Sequence, residues 1–550
     1  MMKNRKKKIL YGWVAMLWFV AGAVSCTDSE EHYKIPEEVA GRTSLWELIS
    51  QQPELSTFAS LLERYSYSRI LSSEPVYTVW APTNEYLTGV DPNDSVAVAR
   101  VITTHIARYS YPASGAASKH PEIYMLNAKK QTFLSAGDTY TMGGVELLTK
   151  NMVAKNGILH TLKGQIPFFP NTWQMMEEAR FDSIRSYLYS FGKREFVRGL
   201  SRQIDINEEG MIVYDSVFTE RNTMWYVYAT SKGIGWLNHE DSVYTMVLPD
   251  NAAWTETYNK YYPLFRPDPL LPNPDSVQRA NTQYAIVQDL VFRGEIRNPA
   301  QNGVNDSIVS TRGAVIKNPA RIFNGSSPVR TSNGWVYPVS ELQYKRNDSY
   351  VKTIKIEAEM PFGRMHDESR DGGIIQTWYA SDNPDISNKS FLRVIDHGKS
   401  NSEEPTVSFE IPGVVNTEYD IYAVFLSPSF VNPASLDTAV TRVKFEIQQW
   451  NRIGSKLDDN YWGNGKAWGP GKVLATFSGT GPEFVTQKRG VSVIKAGTFH
   501  FPFANINEEE NVFRIKVISA ITSRDKNNKE NKFNKEMRID YLLLIPSDSN

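Results

Sequence analysis

The residues best suited to chemistry lie late in the chain, in the run 458–471, Asp-Asp-Asn-Tyr-Trp-Gly-Asn-Gly-Lys-Ala-Trp-Gly-Pro-Gly. Sugars present apolar C–H faces between hydroxyls, so aromatic rings flanked by amides and carboxylates suit them. Tyr461, Trp462 and Trp468 supply the rings, with Asp459, Asn460 and Asn464 as polar partners; Trp378 and Tyr379 form a second candidate pair. The same composition also suits a long loop whose aromatics fold back as a satellite core. Signatures of catalysis are missing. The sequence has no H-E-x-x-H, G-x-S-x-G or C-x-x-C, and Gly465-Lys466 and Gly471-Lys472 lack the flanking Gly and Ser or Thr of a P-loop. Carboxylate pairs for glycoside hydrolysis meet only in three dimensions, which leaves a hydrolase as a third reading behind two binding functions.

The first residues bear on location. Lys3, Arg5, Lys6, Lys7 and Lys8 precede an uncharged, mostly apolar run, 9–25, that ends in small residues. This is the pattern of a secretory signal, slightly short for a membrane span. The run closes on Ala23-Val24-Ser25-Cys26, which resembles the lipobox of bacterial lipoproteins, and Cys26 is the sole cysteine of the chain. Lipidation explains both its solitude and its place; the alternative is an uncleaved signal anchor. The following Thr27-Asp28-Ser29-Glu30-Glu31 resembles the surface-export signal of Bacteroidota-type lipoproteins, implying an outer-membrane protein facing the cell exterior. Removal of the signal peptide takes the formal charge from -1 to -6. A mildly acidic protein is a poor polyanion binder, which argues against nucleic acid as partner.

At 550 residues the chain is long enough for about three domains. A signal peptide over 1–25 and an acidic tether over 26–43 precede the first. Ser44 and Glu47 have capping-box spacing, and Leu45, Leu48 and Ile49, then Phe58, Leu61, Leu62 and Tyr65, recur at helical spacing around Pro53. Next comes 77–84, Tyr-Thr-Val-Trp-Ala-Pro-Thr-Asn, then Asp94-Ser95-Val96 opening another helix, hairpin patterns over 123–149, and Asn156-Gly157 before a strand. The same words return in order: Asn171 and Gln174, then 244–251 reading Tyr-Thr-Met-Val-Leu-Pro-Asp-Asn, Asp275-Ser276-Val277, and Asn333-Gly334. Four words repeated in order argue for duplication, the second copy carrying a strand-like insertion over 211–228 and a Pro-rich one over 263–274.

These words resemble the fasciclin domain, a mixed α/β module of adhesion and matrix proteins. The resemblance covers 44–170 well and 171–345 as a divergent copy. In that family a Tyr-His pair on the third helix is linked to receptor binding; the matching place here holds Thr104-His105, and copy two has Asp289 about there. His105 and His160 each sit beside apolar neighbours with no second ligand at metal spacing, which suits hydrogen-bonded packing residues. The Pro- and Asn-terminated strand shapes a turn without needing a ligand.

Beyond Tyr344 the pattern turns strand-dominated. Val443, Phe445 and Ile447 alternate with charges, as do 513–517, and further strands are expected at 351–359, 407–411, 419–426, 491–494 and 538–545. The expected fold is therefore multidomain, α+β and all-β: two fasciclin-like α/β domains followed by an antiparallel jelly-roll β-sandwich over 350–550. Ile356-Glu357-Ala358-Glu359 and the run 538–545 resemble the first and last strands of carbohydrate-binding, galactose-binding-like modules. That resemblance implies a structural calcium held by Glu357, Glu359 and Asp540, the alternative being a solvated edge; no other cofactor is implied. Two functions follow. One is a non-catalytic surface lipoprotein that binds poly- or oligosaccharide, accessory to a TonB-dependent outer-membrane transporter and its lipoprotein partner. The other is an adhesion or scaffolding protein that binds another protein through its fasciclin pair.

Overall fold

The computed structural model describes residues 42–73, 75–113, 122–198, 202–206, 212–215, 218–227, 232–297, 307–366, 368, 371–380, 383–398, 404–450, 452–453, 456–457, 472–506 and 511–547. They form two compact units: Met1–Met175 with Leu237–Val243 and Arg330–Gly334, and Met176–Trp236 with Tyr244–Val329 and Trp335–Asn550.

In the first unit the expected capping box opens helix Leu45–Ser50: Glu47 N donates to Ser44 Oγ at 3.2 Å, and Ser44 N donates to Glu47 Oε2 at 2.7 Å. Pro53 begins a single turn that leads into helix Ser56–Arg64, with Tyr67–Ser72 following. Helix Ser95–Thr104 starts on Asp94, which accepts from Val96 N and Ala97 N at 3.0 Å each. A seven-stranded sheet runs Ile106–Arg108, Tyr77–Pro82, Gly157–Leu162, Val145–Ala154, Thr139–Met142, Lys130–Ala136, Glu122–Tyr124. Its two signature strands are parallel neighbours, Tyr77 opposite Gly157 and Pro82 opposite Leu162, and every residue of both is buried. The run is continuous in apolar character because both faces are covered. One face packs Val79 and Leu159 against Leu45, Phe58, Leu62 and Ile102; the other packs Trp80 and Leu162 against Phe133, Met142 and Ile166. Gly157 is dictated by contact, since a Cβ there would lie 1.9 Å from Tyr77 O.

The second copy keeps the plan with fewer strands. Strand Tyr244–Pro249 lies between Val291–Arg293 and Gly334–Val339, and helix Asn251–Tyr261 is capped by Asp250, which accepts from Ala253 N at 2.8 Å. Asn171 and Gln174 do exchange reciprocal bonds, 3.0 and 2.9 Å, but open only the short turn Gln174–Glu177. The helix that buries Phe181's neighbours Ile184 and Leu188 begins later, at Asp182. The insertion before the strand forms two hairpins, Arg202–Ile206 with Ile212–Asp215 and Gly192–Phe196 with Phe218–Asn222.

Downstream, the chain builds two antiparallel sheets. One orders Gly373–Tyr379, Ser390–Asp396, Met537–Pro546, Glu418–Leu426, Val491–His500, with Ile354–Glu357 also paired to Met537–Pro546; the other orders Arg364–Met365, Thr406–Glu410, Phe513–Ser519, Val443–Gln449, Lys472–Phe477. Their buried faces meet at Phe425 and Phe445, rings 6.5 Å apart. Strand Ile354–Glu357 pairs antiparallel with Met537–Pro546, Ile354 opposite Leu544 and Glu357 opposite Tyr541. Strands Gly373–Tyr379, Ser390–Asp396 and Lys472–Phe477 were not expected from periodicity. The Pro-rich insertion of copy two straps onto these sheets: Ala504 N donates to Arg266 O at 2.7 Å, Asn416 N to Leu264 O at 2.8 Å, and Tyr261 stacks on Tyr350 at 3.6 Å.

Candidate functional site

The repeated words are tied down by the same hydrogen bonds in both copies. Thr78 Oγ1 donates to Tyr109 O and accepts from Tyr111 N; Thr245 Oγ1 donates to Gly294 O and accepts from Ile296 N. Asn84 accepts from Thr57 N and donates to Pro53 O, as Asn251 does with Ser183 N and Ala179 O. Asn156 accepts from Leu45 N and donates to Leu71 O and Ser73 O; Asn333 accepts from Thr172 N and donates to Leu237 O and His239 O. The motif's polar groups thus close the frame on itself.

His105 and His160 are likewise internal. His105 Nδ1 bonds Val101 O at 2.6 Å, and its Nε2 accepts from Ile166 N at 2.9 Å. His160 Nε2 bonds Tyr111 O at 3.0 Å, Nδ1 accepts from Asn151 N at 3.2 Å, and the ring stacks on Trp80. Each ring therefore has one donor and one acceptor nitrogen and is neutral. Burial holds both imidazoles down at about 4, partly offset by the carbonyl each faces. Asp289, at the corresponding end of the second copy's helix, accepts from Ser310 Oγ at 2.6 Å and Ser349 Oγ at 2.7 Å. His105 and Asp289 do one job with different chemistry: each grips the segment that leaves its domain.

The three acidic residues of the sandwich do come together. Strand Ile354–Glu357 ends at Glu357, so Glu359 reaches the cluster from the turn beyond, not from the same strand face. Ser387 N points at Asp540 Oδ1, 3.2 Å, Ser387 Oγ donates to Glu357 Oε1 at 2.8 Å, and Asn388 Nδ2 donates to Glu359 Oε1 at 3.1 Å. Lys355 Nζ lies 2.7 Å from Glu357 Oε1. Asp540 is 2% exposed, and burial pushes its carboxyl up to about 6, with Glu357 and Glu359 adding to the rise and the Ser387 amide opposing it. Glu357 Oε2 and Glu359 Oε2 are buried without a hydrogen-bond partner. Orphaned hard oxygens beside a disfavoured carboxylate fit a calcium ion chemically. As they stand, no three His, Cys, Asp or Glu side chains among the described residues are arranged to hold a metal. Ser387 and Asn388 gave no sequence signal, since nothing in 381–390 marks them as neighbours of a strand some 30 residues earlier.

Of the aromatic candidates, Tyr379 is 81% exposed and Trp378 43% exposed, both on the outermost strand of the six-stranded sheet. Trp378 Nε1 donates to Gln376 Oε1 at 3.0 Å, and the Arg393 guanidinium lies over its ring at 5.1 Å. Arg393 is held in place by Glu536, a partner that period-two patterning could not predict. Asp459, Asn460, Tyr461, Trp462, Asn464 and Trp468 lie outside the described residues, as does Cys26. Among the described residues no helix is long and apolar enough to cross a membrane.

Helices over a sheet whose two signature strands are adjacent and parallel, with Thr78, Asn84 and Asn156 bonded internally, define a mixed α/β framework module. Residues 53–165 match the family model of the Fasciclin domain. Among solved structures, the FAS1 domain pair from the insect cell adhesion molecule fasciclin I is 11% identical, covering 54% of this chain and 98% of that one, at a TM-score of 0.20. A Paenibacillus xanthan lyase is 10% identical, covering 32% of this chain and 12% of the lyase, at a TM-score of 0.17. Comparison with curated protein sequences gave no significant match.

Proposed function

We propose that this is a non-catalytic, lipid-anchored adhesion or scaffolding protein of the outer membrane that faces the cell exterior and binds a protein partner. The observation that carries this reading is the match of 53–165 to the fasciclin domain, a module of adhesion proteins, whose residues Thr78, Asn84, His105 and Asn156 bond within its own frame. A binding function then falls to its exposed loops, with Cys26 as the anchor. The test is cross-linking on intact cells. The anchored protein is expected to be protease-accessible from outside and to co-purify with an outer-membrane protein, a transporter and its lipoprotein partner included, while Cys26→Ser moves it to the soluble fraction. An anchored protein that captures no membrane protein overturns the reading.

The second reading, glycan binding by the jelly-roll-like sandwich in support of TonB-dependent uptake, is favoured by Trp378 and Tyr379, which stand exposed beside Gln376 and Arg393. A ring with an amide at its edge and a guanidinium over one face suits a saccharide. Trp378→Ala with Tyr379→Ala is expected to abolish saccharide binding by the full chain. Binding equal to that of wild type in both this variant and Trp462→Ala/Trp468→Ala eliminates the glycan function. A calcium bound by Glu357, Glu359 and Asp540 belongs to the same reading as a structural ion, and its test is given in the Discussion.

A further inference from the structure

A cavity of about 260 Å³ in the first unit is lined by Lys129, Lys130, Gln131, Gly143, Phe169, Arg330 and Ser332, among others. Its walls come from the strand Lys130–Ala136, the tight turn at Gly143 and Gly144, the segment after the first domain, and 330–332. Three cations converge here in a molecule of net charge -1. Two are answered by carboxylates: Lys129 Nζ by Glu240 Oε1 at 2.9 Å, and Lys130 Nζ by Asp241 Oδ1 at 2.8 Å, with Glu122 further off at 3.6 Å. Lys129 is also buried, 3% exposed, and donates to Ser332 Oγ at 2.9 Å. The third, Arg330, is exposed at the rim and lies over the Phe169 ring at 4.8 Å, with no carboxylate at ion-pair distance among the described residues.

We propose that this cavity binds a small organic acid group, one ring in size, with its carboxylate on Arg330 and Ser332. A planar guanidinium fixed over a ring is already oriented, so little side-chain freedom is lost when a carboxylate docks on its N–H fork. Lys129 and Lys130 are answered by their own carboxylates, which leaves the Arg330 guanidinium to supply the positive charge that an entering anion meets. The volume admits one sugar-acid ring or one amino-acid residue, not a helix or a folded partner. Two sources share this chemistry: a uronic acid of a polysaccharide, or the terminal carboxylate of a peptide. A small acid is required by neither reading of the proposed function, so this assignment stands or falls independently of them.

The experiment is an NMR or calorimetric titration of the full chain with D-glucuronate and with N-acetyl-phenylalanine, alongside their neutral counterparts glucose and N-acetyl-phenylalaninamide. At least one acid is expected to bind in the millimolar range, weakening as salt rises, while both neutral compounds stay silent; which acid binds identifies the source. Arg330→Glu is expected to weaken binding by about tenfold or more, and Arg330→Lys to recover part of it. Arg330 is exposed and packs on the Phe169 ring, so the fold of the Arg330→Glu protein is expected to be intact, as unchanged melting would show. Silence of both acids, equal binding of a neutral analogue, or unchanged affinity in Arg330→Glu each overturns the assignment.

Discussion

Asp540→Asn isolates the physics of the acidic cluster. The carboxyl is 2% exposed and shifted up to about 6 from an ordinary 3.8, with burial the leading cause. A raised carboxyl means that the fold retains a proton the unfolded chain has given up. Stability therefore declines as pH rises from about 4 to about 6 and stays lower above that. At about 1.4 kcal/mol per pH unit, ionising Asp540 in the chelated protein costs roughly 3 kcal/mol at neutral pH. The amide keeps an oxygen for the Ser387 N–H and carries no charge. In EDTA at pH 7.5 the Asp540→Asn variant should thus be more stable than wild type by about 1–3 kcal/mol. At pH 4 the two should be nearly equal. Calcium reverses the order, stabilising the wild type, whose ionised carboxylate becomes a ligand, and leaving the variant unmoved. Urea unfolding at the two pH values, with EDTA and with calcium, reads all three. A variant–wild-type difference that does not grow between pH 4 and 7, or a variant less stable at pH 7.5 in EDTA, refutes the desolvation argument; a wild type indifferent to calcium removes the ion.

Other consequences are equally direct. His105 and His160 are held near 4, below an ordinary 6.5, so the fold excludes protons that the unfolded chain binds; stability is full above about 6.5 and falls as pH drops toward 4. His160→Gln should flatten that loss in urea titrations of the first domain between pH 4 and 6.5, and an unchanged pH slope would contradict it. Asn156→Ala strands three backbone groups, two of them buried, and is expected to cost about 3 kcal/mol, against about 1 kcal/mol for the half-buried Asn84→Ala; equal midpoints in denaturant would show that these two asparagines are not ranked by burial. A fragment of 350–550 loses the Arg266 and Leu264 backbone bonds and the Tyr261 ring, and should melt well below the same sheets in a fragment of 176–550, as calorimetry would show.

How far the sequence revealed all this depended on whether a signal was local. The capping boxes at Ser44 and Asn171 and the Asp94 cap are local in sequence and were legible, as were the alternating strands Val443–Gln449 and Phe513–Ser519. Strand Gly373–Tyr379 was not, because it is a sheet edge whose Trp378 and Tyr379 are exposed, so its pattern carries no buried face to read. The short turn after Asn171 shows the limit of a cap: reciprocal bonds start a helix, but packing decides its length. Within the candidate sites, the carboxylates Glu357, Glu359 and Asp540 were visible by type, whereas Ser387, Asn388, Arg393 and Arg330 were not. They reach their neighbours only through tertiary folding, and a residue type alone does not announce a partner some 30 to 200 positions away.

The parallel pairing of Tyr77–Pro82 with Gly157–Leu162 also governs the order in which the domain can be made. Parallel neighbours cannot be joined by a tight turn, so the centre of the sheet closes a loop of about 75 residues, an entropic cost that must be met before the contacts return it. Both hydrophobic faces of the sheet depend on that closure, because Leu159 completes one and Leu162 the other. During synthesis the helices and outer hairpins emerge first and wait for the closing strand. Until residue 162 is available the chain carries a long apolar strand with an open edge, the state most in need of a chaperone.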